Sequence, residues 1–115
     1  MKRMQSHLVG VDQGEVVLFS DFADDGEMWS GDGPRVRRHE VSFSEPYHVP
    51  PSVTVSMSMF DMSSSTNQRA DIQAENITTS GFEIVFRTWE DTKIARVRAA
   101  WQSIGELPND DTWDI

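Results

Sequence analysis

Three residues far apart in the chain carry side chains suited to a single kind of chemistry. The carboxylate of Asp32 and the guanidinium of Arg69 can each hydrogen-bond two hydroxyl groups at once. The indole of Trp89 offers a flat apolar surface for a C–H face. Together these are the devices with which a binding site holds a neutral sugar. Each residue stands at the border of a polar or glycine-rich stretch: Asp32 in "SGDGP", Arg69 after "SSSTNQ", Trp89 at the end of "GFEIVFRTW". Binding residues concentrate in such places. Each also has an ordinary structural role open to it: Asp32 as a turn former, Arg69 as an ion-pair partner, Trp89 as a packing residue. Residue types alone do not choose between these readings.

Other chemistries lack their residues. With no cysteine, the chain has no disulfide, thiolate metal site or cysteine nucleophile. No G-x-S-x-G elbow, H-E-x-x-H pair or phosphate-binding glycine loop occurs. His7, His39 and His48 stand too far apart for ligand spacing, so no metal or cofactor is expected. "DFADDGE" (21–27) lacks the ligand spacing and closing glutamate of a calcium loop and reads as a solvated acidic loop. Glu90 and Asp91, read as strand neighbours, would point to opposite faces and could not flank one glycosidic bond. The expectation is a protein that is not an enzyme.

The 115 residues suffice for one domain with a modest core. Ten basic residues face nineteen acidic ones, a net charge of −9, which argues against nucleic acid as a partner. The local arginine clusters, Arg35, Arg37, Arg38 and Arg87, Arg96, Arg98, are read as pairing with carboxylates of the protein itself or of a neighbouring copy. No segment approaches the roughly 20 apolar residues of a membrane helix, and no signal-peptide core is present. The cytoplasm is the default location, and surface or extracellular exposure would need a non-classical route.

Period-two alternation predicts the elements that must position these side chains. "VTVSMSM" (53–59) sets valines and methionines against threonine and serines; "GFEIVFRTW" sets Phe82, Ile84 and Phe86 inward against Glu83 and Arg87. "ADIQAEN", "HEVSF", "EVVLF" and "IARVRAAW" supply the remaining strands. "SGDGP", "EPYHVPP" and "TTSG" punctuate them, the last closing a hairpin. The fold class is all-β: a six-stranded antiparallel β-sandwich over residues 15–105. Residues 1–14 read as an N-terminal arm and 106–115 as an acidic tail, each loose or docked on a neighbour, the tail through Trp113.

The run "RRHEVSFSEPYHVPPSVTVSMSMFD", an arginine eight residues later, and "ENITTSGFEIVFRTWEDTKIARVRAAWQSIG" together resemble the H-type lectin domain. The resemblance spans about residues 29–105 and rests on the paired prolines, the "GF" hairpin, the "TW.DT" turn and the final "W..IG". It implies a parallel homotrimer whose partners are galactose- or N-acetylgalactosamine-type glycans, bound in shallow sites between protomers. By motif, Asp32, Arg69 and Trp89 match the family's sugar-binding residues, and the backbone at Gly31 would lie close to the ligand. This chain departs from the pattern at Glu90, where the family's snail lectins carry histidine, and at Ala95, where they supply an aromatic from the neighbouring protomer. Glu90 therefore joins the candidate site with altered chemistry. The alternative is a structural or attachment module of a larger assembly that keeps the fold and has lost the sugar.

Overall fold

The structure is a computed structural model and describes residues 1–108. Trp113, read as part of a tail either loose or docked, falls outside the described residues. Six strands and one short helix follow each other: β1 (Val9–Ser20), α1 (Glu27–Ser30), β2 (Arg35–Ser42), β3 (Ser52–Met62), β4 (Asp71–Glu75), β5 (Gly81–Thr88) and β6 (Ile94–Glu106). All six alternating runs are strands, and burial follows the alternation: β3 alternates exposed and half-buried residues along most of its length. Among the described residues no helix is long and apolar enough to cross a membrane.

The strands form two antiparallel three-stranded sheets, ordered β1-β6-β3 and β2-β5-β4. Each sheet is apolar on one face, and the two faces close on each other as a sandwich. Phe19, Met28, Phe86, Ile94 and Val97 fill one end of the interior; Phe43, Tyr47, Phe82, Ile84 and Ala99 fill the other. Edge-to-face contacts such as Phe19–Phe86, with centroids 5.5 Å apart, lock the rings in place. The TTSG hairpin joins β4 to β5, with the Thr78 hydroxyl accepting from the Ser80 and Gly81 amides.

Sheet order then dictates where the loops meet. Ser20 pairs with Arg96 and Met62 with Ile94, while Arg35 pairs with Thr88 and Asp71 with Arg87. The crossings 21–34, 63–70 and 89–93, each passing from one sheet to the other, therefore gather at one end of the sandwich. Asp32, Arg69 and Trp89 lie on those three crossings, one on each.

Several expectations need correction. β1 starts at Val9, inside the stretch read as an arm. Its alternation is inverted, with Val9, Val11 and Val17 exposed and Gly14 facing inward, so the period-two signal is faint. The inner space at Gly14 is taken by Trp101, since a Cβ there would come within 2.8 Å of the indole nitrogen. Residues before β1 dock on their own chain. Lys2 donates to the Pro50 and Pro51 carbonyls at 2.7 and 3.3 Å, and the Gln5 and Ser6 amides donate to the Glu106 carboxylate. The 21–27 stretch is not a wholly solvated loop. Asp21 is buried and accepts from the Met28 amide and from Arg37, both at 3.0 Å, and so anchors α1.

Candidate functional site

Trp89 follows β5 directly, where the chain leaves its sheet to cross to β6. Trp89 is 40% exposed although most of the strand before it is buried. Glu90 next to it has φ 61°, a left-handed conformation unusual for a residue with a Cβ. That twist ends the strand and sends Glu90 and Asp91 into a turn. Strand alternation therefore does not separate the two carboxylates, as the sequence suggested. Both line the same open depression, about 630 Å³ in volume, together with Asp32, Gly33, Pro34 and Trp89.

The glycine loop is tied to this turn by its backbone. The Gly33 amide donates to the Glu90 carbonyl at 2.8 Å. Gly33 itself has φ 72°, which a glycine adopts without strain. Gly31, expected beside a ligand, is not among the groove residues. It packs on α1, where a Cβ would lie 2.6 Å from the Glu27 carbonyl oxygen. Its role in this chain is to let the loop leave the helical turn closely.

One residue that sequence reasoning passed over organises the site. Arg35 is only 7% exposed and donates to the carbonyls of Gly33 (2.9 Å), Glu27 (3.3 Å), Met28 (3.2 Å) and Glu90 (3.1 Å). A buried guanidinium must have its donors satisfied, and here α1, the glycine loop and the Trp89–Glu90 turn satisfy them together. The sequence placed Arg35 in a cluster meant for carboxylates. The other cluster members do pair so: Arg37 with Asp21, Arg38 with Glu83, Arg87 with Glu75, Arg96 with Asp61 and Arg98 with Glu15. The signal that would have singled out Arg35 is its place directly after the Gly-Pro pair, at the start of a strand.

Arg69 borders the groove without lining it. Its guanidinium meets the Asp91 carboxylate at 3.2 Å, and Asn67 donates to the same group at 3.3 and 3.4 Å. Its backbone is clamped between the Thr88 and Thr92 hydroxyls, which fixes the 63–70 crossing against the turn. Partial burial works to raise the Asp91 pKa, but the Asn67 hydrogen bonds and the Arg69 charge outweigh it and hold the carboxyl below the usual aspartate range. Asp91 is thus ionised at neutral pH. Ala95 lies outside the groove, buried on β6. Among the described residues no group of three or more His, Asp or Glu side chains is placed to hold a metal ion.

The geometry offers three carboxylates and one exposed indole around a shallow depression, with an arginine one ion pair away. Comparison with known proteins agrees with the architecture. A family model for the H-type lectin domain matches residues 38–104. The chain is 59% identical over 107 residues to a protein of Fuscovulum blasticum named "ATP synthase subunits region ORF 7", covering 93% of each. It is 37% identical over 71 residues to a discoidin-1 polypeptide of Dictyostelium discoideum, covering 61% of this chain and 28% of that protein. The recombinant discoidin II of Dictyostelium discoideum has the same fold, with a TM-score of 0.74 at 24% identity, over 95% of this chain and 41% of that one. The chain thus spans well under half the length of the discoidins it matches. With more than half its residues inside the family model, the chain belongs to the H-type lectin domain family.

Proposed function

We propose that the protein is a carbohydrate-binding, non-enzymatic homotrimer that takes galactose- or N-acetylgalactosamine-type glycans in the groove of Asp32, Trp89 and Glu90. The observation that carries this reading is Trp89, an exposed indole held beside carboxylates by a turn with a left-handed residue. An aromatic C–H platform next to hydroxyl acceptors is what a pyranose needs, and a packing residue would have been buried. Asp91 is not a candidate general acid. Held ionised, this carboxyl cannot serve as the protonated acid that an inverting or retaining glycosidase needs beside its ionised partner. A shallow polar site gains little from desolvation, so affinity per site is weak and three sites act by avidity on a polyvalent glycan.

Trimer formation is supported by the outer face of the β1-β6-β3 sheet, where Val9, Val11 and Val17 of β1 and Ile104 of β6 are exposed. A second reading has its own observation. Arg69 is already engaged by Asp91 within the protomer, as an attachment module without sugar would have it. A glycan array probed with the purified protein tests the two: galactose-type ligands support the lectin, and no bound glycan at all supports the attachment module.

A further inference from the structure

The side chains lining the groove are rich in hydrogen-bond acceptors and poor in donors. Asp32, Glu90 and Asp91 contribute carboxylates, and the Trp89 indole N–H is the one side-chain donor among the lining residues. Pro34 has no amide hydrogen. The other donors at hand are committed. The Gly33 amide donates to the Glu90 carbonyl at 2.8 Å, and the Arg35 guanidinium is divided among four carbonyls. Arg69 meets Asp91 at 3.2 Å. An acetamido group brings a carbonyl that needs a donor, and such a groove has little to offer it. A protonated amine donates three hydrogen bonds and accepts none, which is the complement of this lining.

Glu90 stands out among the three carboxylates. Asp91 is compensated by Arg69 and Asn67. The Glu90 side chain is exposed, and among the described residues it has no hydrogen bond or ion pair; the same holds for Asp32. Yet the Glu90 backbone is held firmly. Its carbonyl accepts from both Gly33 and Arg35, and these bonds keep it at φ 61°. Glycine or asparagine would adopt that conformation more readily than glutamate. Backbone of this kind concentrates at ligand clamps, where the surrounding structure enforces it. What it secures here is an unpartnered carboxylate directly beside an exposed indole. A carboxylate next to an aromatic face is a device for holding an ammonium group, by charge from one side and by the ring quadrupole from the other.

We propose that, among galactose-type sugars, the groove selects the 2-amino sugar with a free, protonated amine over its N-acetylated form, and that Glu90 is the specificity-determining residue. The inference rests on the carbohydrate reading of the groove for the sugar ring and adds the charge that the ring must carry. Trp89 covers the C–H face, Glu90 accepts from the ammonium group, and Asp32 accepts from the ring hydroxyls or shares the ammonium.

The test is a titration of the isotopically labelled full chain with the methyl glycosides of galactosamine, N-acetylgalactosamine and galactose, followed through the backbone amides of residues 32–33 and 89–91. It is run in low salt at about pH 6, where an amine of this kind is protonated. The amine should bind at least about tenfold more tightly than the N-acetyl sugar, and high salt should narrow the ratio. In Glu90→Gln, which keeps the side-chain shape, the ratio should fall towards one while galactose affinity changes by less than about threefold. Glu40→Gln makes the same change of charge at an exposed position of β2, towards the end of the ladder away from Arg35 and Thr88, and should keep the wild-type ratio. Galactose binding together with an N-acetyl sugar bound as tightly as the amine overturns the selectivity and leaves the lectin reading standing. A preference that survives Glu90→Gln, or that falls equally in Glu40→Gln, belongs to the overall negative charge and overturns the role of Glu90. Absence of shifts with all three sugars overturns both readings.

Discussion

At the scale of single residues, the groove depends on two arginines that do different work. Arg69→Ala is expected to weaken glycan binding, because the guanidinium at the groove's border can give a sugar hydroxyl a charged hydrogen bond worth about 1.5–3 kcal/mol. Its ion pair with Asp91 is exposed to solvent and adds little to stability, so the melting temperature hardly moves. Thermal unfolding and glycan binding measured on that one variant check both statements. Reduced stability with unchanged binding would return Arg69 to a structural role. Arg35→Met should behave in the opposite way. It leaves the carbonyls of Gly33, Glu27, Met28 and Glu90 without their donor in a buried place, a loss on the order of 3 kcal/mol. Denaturant unfolding should show that loss, with glycan binding weakened as well, since the loop and turn would no longer be held together.

At the scale of elements, the N-terminal segment and β6 are coupled through one carboxylate. Glu106 accepts from the Gln5 and Ser6 amides, and these bonds, with a smaller contribution from His48, hold its pKa below the ordinary glutamate range against the opposing effect of burial. A carboxyl whose pKa is depressed by folding stabilises the docked state at pH values above its ordinary range. That contribution is lost as pH falls through the folded value. Hydrogen exchange of the Gln5 amide, corrected for its intrinsic rate, should therefore lose protection at pH 3 relative to pH 6. Glu106→Ala, which removes the acceptor, should expose the same amide at pH 6 and abolish the pH dependence. Protection that is equal at both pH values in the wild type would contradict the coupling.

At the scale of the whole molecule, the outer face of the β1-β6-β3 sheet sets apolar residues beside ion pairs. Val11 lies opposite Ile104 in the ladder, and both are exposed; Arg98 meets Glu15 at 3.3 Å nearby. Arg96 and Arg98, read as pairing within the protein or with a neighbouring copy, find their acids within their own protomer, so the proposed trimer would rest on the apolar residues. Light scattering at micromolar concentration should give a trimer for the wild type and a monomer for Val11→Asp, because a charge placed among valines that the trimer would bury is costly. A wild-type monomer would remove the avidity on which weak single sites depend.

Composition and alternation were enough to establish the all-β class, the six strands and the two arginine clusters, because half-buried strands write their orientation into every second residue. The inverted strand β1 escaped in part, since its inward positions carry glycine and its outward ones valine. Motif likeness identified Asp32, Arg69 and Trp89, but only sheet order put their three crossings at one end of the sandwich. Three features belong to the tertiary structure alone: the carbonyl cage around Arg35, the capture of Arg69 by Asp91, and the gathering of Asp32, Glu90 and Asp91 around one depression. Each arises from the close approach of segments distant in the chain, and hydrogen-bond direction at such approaches is set by loop backbone conformation, which no period-two pattern encodes.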